Sequence, residues 1–120
     1  MKLDFDNPLE RRTLAGGRVE VDVVRVGELP VLRISHAPGW RWSLHSAEEN
    51  GHARCHNVHV GVMAAGAMVV QPAAGAAYTV GAGDAVAIAP GHDAWTIGDE
   101  PAVLIQFDEG PSSEARYRLS

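Results

Sequence analysis

The sequence predicts an all-β domain, a sandwich or barrel of short strands. Three observations carry this reading. Hydrophobic residues alternate with polar ones from Arg18 onward, and the apolar set is rich in valine. Gly and Pro recur as turn markers every few residues through the chain. At 120 residues and 46% hydrophobic, the chain is one domain's length and able to bury a core.

The elements follow in order. Residues 1–17 read as an N-terminal arm, broken by Asp4, Asp6, Asn7 and Pro8 and closed by Gly16-Gly17. Val19, Val21 and Val23 interleave with Glu20 and Asp22, the period of a half-buried strand. Gly27 to Pro30 turns the chain into a second strand at Val31, Leu32 and Ile34, which Pro38-Gly39 ends. Trp40 to His45 alternates again and predicts a third strand, followed by a polar loop over 46–53. Further strands are expected at 54–64, 67–71, 76–80, 84–89, 93–98 and 102–108, with the barrel closing near 110. Residues 111–120 would be a tail or an edge strand. Val62 to Val70 is Ala-rich, but Gly66 at its centre and its β neighbours favour strand.

Composition excludes several classes of function. The net charge is −5 and the basic residues are scattered, so no nucleic-acid footprint is present. No apolar run reaches the roughly 18–20 residues that span a bilayer. The polar start, Met1 to Asp6, lacks a signal peptide's apolar stretch, and a cytoplasmic location is expected. A single cysteine, Cys55, excludes an internal disulfide.

The strongest chemical signal is a cluster. Four of the six histidines, at 45, 52, 56 and 59, fall with Cys55 inside one fifteen-residue stretch. Imidazole and thiolate donors suit zinc, iron, copper or nickel. Cys55 and His59 are four apart and share a face of a regular strand; His56 points the other way. His36 and His52, taken singly, read as ordinary structural or solvated residues. Trp40, Trp42 and Trp95 each lie beside a candidate ligand segment, as candidate substrate contacts or as core or subunit interface. Asp93 beside His92 is a further candidate substrate contact; it would orient an imidazole or cap a turn. Glu48-Glu49 reads as solvated loop charge.

Two stretches of this pattern resemble the cupin superfamily, small barrels of the double-stranded β-helix or jelly-roll type. The clearer runs from Gly81-Ala82-Gly83-Asp84 through Ile88-Ala89-Pro90-Gly91-His92-Asp93-Ala94-Trp95, and it continues as Gly98-Asp99-Glu100-Pro101. The resemblance is to a subgroup of single-domain bacterial cupins. In the first cupin motif, Pro38-Gly39 followed by His45 fits the family spacing, His59 stands where Glu is usual, and Ala47 replaces the second histidine. In the second motif Ala94 occupies the usual ligand position and His92 is the nearest imidazole.

The resemblance implies a divalent metal (zinc, iron, nickel, copper or manganese). His45 and His59 are expected as its best ligands, His92 next, then Cys55 and His56. It implies a small organic ligand and chemistry of the dioxygenase, isomerase, cyclase or lyase kind, with an enzyme favoured over a sensor. The alternative is a metal-free small-molecule-binding or sensory domain. The apolar run Val60 to Val70 exceeds what one half-buried strand requires, and a homodimer is expected.

Overall fold

Among the described residues, nine antiparallel strands pack as two sheets around one apolar core. The computed structural model describes residues 1–55 and 57–107. The strands are β1 (Glu10–Leu14), β2 (Val19–Val26), β3 (Leu29–His36), β4 (His59–Ala65), β5 (Ala67–Gln71), β6 (Tyr78–Gly81), β7 (Ala85–Ile88), β8 (Asp93–Ile97) and β9 (Ala102–Phe107). One sheet has the order β1-β2-β3-β9-β4-β7 and the other β6-β5-β8.

Alternation decides what faces inward. In the β2–β3 hairpin Val21 pairs with Ile34 and Val23 with Leu32, and all four are buried. The turn is two residues, Gly27-Glu28, and Gly27 takes φ +61°, which glycine adopts at little cost. The opposite sheet supplies Met68, Val70, Val80 and Ala94, and the facing side chains form the core. On the outer side of β2, Asp22 is only 1% exposed. It is satisfied by Arg11 Nε at 2.6 Å and Arg33 Nη2 at 2.8 Å, so the buried carboxylate is paired.

Two glycines let β4 lie where it does. A Cβ on Gly61 would stand 1.9 Å from the Ile105 carbonyl oxygen, so β4 and β9 approach too closely for any side chain there. Gly66, at φ +66°, lets the chain leave the first sheet after Ala65 and enter the second at Ala67.

Several expectations need correction. The segment Trp40–His45 is not a strand. After a single bridge, Arg41 to Trp95, residues Trp42–Ser46 form a π-helical turn, and Ala47–Asn50 a short helix, α1, inside the expected loop. The cause is local hydrogen bonding: His45 Nδ1 accepts the Arg41 N–H, and Asp93 accepts the Ser43 N–H and hydroxyl. The strand expected from 54 begins only at His59. The region read as an arm contains β1, whose Leu14 pairs with Val19. The segment from 108, including the expected tail, lies outside the described residues, as does His56.

Candidate metal centre and adjoining cavity

Three segments of the chain deliver three donor side chains to one place. His59 opens β4 with the inward phase of Gly61 and Met63. His92 follows the turn Ala89-Pro90-Gly91, in which Gly91 has φ +91°. Cys55 is bridged to this turn: its N–H donates to the His92 carbonyl at 2.8 Å, and Gly91 N–H donates to the Cys55 carbonyl at 2.7 Å. The ligand atoms of Cys55, His59 and His92 all lie within 4.8 Å of one another.

The two imidazoles are held in matching tautomers. His92 Nδ1–H donates to the Ala89 carbonyl at 2.7 Å. His59 Nδ1–H donates to Gln106 Oε1 at 2.6 Å, and Gln106 is itself fully buried on β9. Each ring therefore carries its lone pair on Nε2. A carbonyl oxygen fixing the far nitrogen is how metal-ligating histidines are oriented. His59 Nε2 lies 3.6 Å from Cys55 Sγ. A tetrahedral zinc ion, with Zn–S about 2.3 Å and Zn–N about 2.05 Å, sets such a pair about 3.6 Å apart. The rings of His59 and His92 stand edge to face, 5.1 Å between centroids. Burial lowers the His92 pKa, which favours the neutral, ligating form. One thiol and two imidazoles, so arranged, fit a transition metal of the zinc, copper, iron or nickel type.

These three residues line a cavity between the sheets. The cavity has a volume of about 60 Å³ and opens to solvent. Much of its wall is apolar, including Leu14, Val19, Ile34, Met68 and Leu104. Trp40 and Trp42 also line it, both buried, with the Trp40 indole N–H donating to Ser46 Oγ at 3.0 Å.

The other expected site residues lie elsewhere. His45 is not in the donor cluster; its Nδ1 is turned back onto the Arg41 amide. Asp93 and Trp95 are not among the cavity's lining residues. Asp93 ties β8 to the π-helical turn through Ser43 and Arg41 Nε. Burial acts to raise its pKa, but the hydrogen bonds from Ser43, Ala94 and Arg41 outweigh this and hold the carboxylate below its ordinary range. Trp95 is half-buried under the Arg41 guanidinium, 4.3 Å from its ring centre. Ala94 faces the cavity with a methyl group, while His92 reaches it from two residues earlier.

Three groups have places at the cavity or its donors that the sequence pattern does not assign: His36, Gln106 and Glu49. His36 shares the inward phase of Leu32 and Ile34, and Gln106 that of Ala102 and Leu104. A polar residue on the core phase of an apolar strand was the available signal. Glu49 is not merely solvated: it accepts the Ala15 N–H at 2.7 Å and lines the cavity.

Comparison with known proteins establishes the fold. The chain superposes on a protein of unknown function from Vibrio parahaemolyticus with TM-score 0.58 and 14% identity, over 81% of this chain and 95% of that one. A cupin domain from Schizosaccharomyces pombe gives TM-score 0.57 and 11% identity, over 92% and 74%. A cupin-like protein from Thermotoga maritima gives TM-score 0.51 and 20% identity, over 83% and 82%. No family model and no curated protein sequence matches the chain. The fold is thus a cupin fold, an all-β jelly roll, and it carries a possible Cys/His metal site. Among the described residues no helix is long and apolar enough to cross a membrane.

Proposed function

We propose that this chain is a metal-dependent cupin enzyme acting on a small organic molecule held in the cavity. Cys55, His59 and His92 would hold a divalent transition metal. The observation that carries this reading is the donor cluster itself: three ligand atoms within 4.8 Å, on a cavity wall, with both imidazoles fixed to present Nε2. The thiolate favours zinc, copper, iron or nickel over manganese. When bound, such a metal supplies a Lewis acid with a coordination position left over for water or substrate.

The chain's own residues do the remaining work. Gln106 and the Ala89 carbonyl orient the two imidazoles. Trp40, Trp42 and the aliphatic wall give the cavity a largely apolar lining. The test is metal content per chain, on protein purified without a nickel-binding tag. One metal per chain is expected, lost in His59→Ala and Cys55→Ser. Metal-free protein that fails to rebind zinc, copper, iron or nickel would overturn the reading.

One observation favours a metal-free binding domain instead. The Cys55–His59 contact at 3.6 Å also serves as an ordinary thiol hydrogen bond, which needs no ion. That alternative expects ligand affinity to survive chelation unchanged.

A homodimer is part of the proposal. Val60, Val62 and Phe107 are each at least 40% exposed on the outer face of the large sheet. Sedimentation at micromolar concentration should give a dimer that Val62→Lys dissociates; a monomeric wild type rules the dimer out.

A further inference from the structure

A second group in the same cavity is equipped to recognise a ligand. His36 ends β3 with its side chain 9% exposed. Its Nδ1–H donates to the Ala102 carbonyl at 3.0 Å. Its ring packs against Trp40, 4.5 Å between centroids and tilted by 44°. With the proton fixed on Nδ1, Nε2 is left with a lone pair, and no described residue donates to it. A buried acceptor without a donor is rare in native proteins, and it calls for a partner from outside the protein. Burial holds the ring neutral, with a pKa of about 4, so at ordinary pH it accepts and does not carry charge.

The surroundings narrow the partner's chemistry. His36 and Trp40 both line the cavity described above. Among the described lining residues there is no Lys or Arg, and Glu49 is the one carboxylate. An organic anion would find no cation of the protein there. A partly open cavity of about 60 Å³ admits a compact body, and Trp40, Ile34 and Leu104 offer it apolar contact.

We propose that His36 Nε2 is the orienting acceptor of a ligand subsite that selects an uncharged small molecule carrying one O–H or N–H donor on a compact apolar or aromatic body. The proposal deepens the functional reading above. It rests on the cavity being a ligand pocket, and it does not require the metal.

The experiment is an NMR titration of the full chain with phenol, with toluene as the isostere lacking the donor, and with benzoate as the anion. It is run on chelator-treated and on zinc-supplemented protein. Wild type, His36→Asn and His36→Gln are compared, each first checked for a folded spectrum. Asn keeps a donor toward the Ala102 carbonyl but cannot accept at the Nε2 position; Gln places an amide oxygen near it. Chelator-treated wild type is expected to bind phenol about 10-fold more tightly than toluene, the scale of one hydrogen bond, and benzoate least. The His36 Nε2 resonance should shift with phenol and stay still with toluene. His36→Asn should lose the preference and His36→Gln recover part of it.

Equal affinity for phenol and toluene overturns the proposal, as does an undiminished preference in His36→Asn. A preference seen only with zinc, and kept in His36→Asn, would assign phenol recognition to the metal; the subsite would fail and the metal reading would stand. If no probe binds either form, the subsite fails, while metal content still judges the donor cluster independently.

Discussion

Gln106 decides how His59 presents itself. Its amide oxygen accepts the His59 Nδ1 proton at 2.6 Å, and Gln106 itself is fully buried on β9. Gln106→Leu keeps the bulk and removes the acceptor. Zinc affinity, measured by competition with a chelating dye, should fall about 10–100-fold, with the fold retained. An unchanged affinity would show that the ring needs no such support. His36 gives a second prediction at this scale. Its folded-state pKa is about 4, against an ordinary value of 6.5. Between these values the unfolded chain takes up a proton that the folded one refuses. The stability tied to neutral His36 is therefore complete above pH 6.5 and lost as pH falls toward 4. The loss is about 3 kcal/mol. Urea unfolding at pH 7 and pH 4 should show wild type losing more stability than His36→Asn by about that amount.

β4 is the element on which site and fold meet. It starts with His59, approaches β9 at Gly61 and bulges between Met63 and Ala65 before changing sheets at Gly66. Gly61→Ala would place a methyl 1.9 Å from the Ile105 carbonyl, a backbone atom held in the sheet. The strands must separate, which costs about 2–4 kcal/mol and draws His59 away from Gln106. Denaturant unfolding reads the first effect and loss of zinc binding the second. The π-helical turn Trp42–Ser46 shows the opposite case, an element that period-two alternation mispredicts. Asp93, on the facing β8, captures Ser43 and Arg41, and His45 closes on the Arg41 amide. Trp40 and Trp42 still reach the core, as cavity wall from a bent segment.

At the scale of the whole molecule, the proposed metal joins segments far apart in sequence. Cys55 and His59 flank the entry to β4, and His92 lies at the start of β8 in the other sheet. An ion bound only by the folded state stabilises it by mass action, about 2.7 kcal/mol at a free concentration 100 times Kd. For a domain of this size that raises Tm by about 10 °C. Thermal unfolding with zinc and then with excess chelator should show the rise and its reversal. His59→Ala should show neither.

The sequence by itself determined the all-β class and most strand positions, because alternation and Gly-Pro turns are local signals written in neighbouring residues. Val19, Val21 and Val23 stand at the alternating positions of a half-buried strand, and they are buried. The sequence also drew attention to the stretch from His45 to His59. Which donors meet was decided only by the tertiary structure. His45 and His59 look equivalent as a list, yet the former is spent on its own turn, while the latter faces Cys55 and His92. Gln106 and His36 gained their roles from partners 47 and 66 residues away. No local pattern encodes such pairs, because the distance between two side chains across a sandwich is set by strand register and sheet packing.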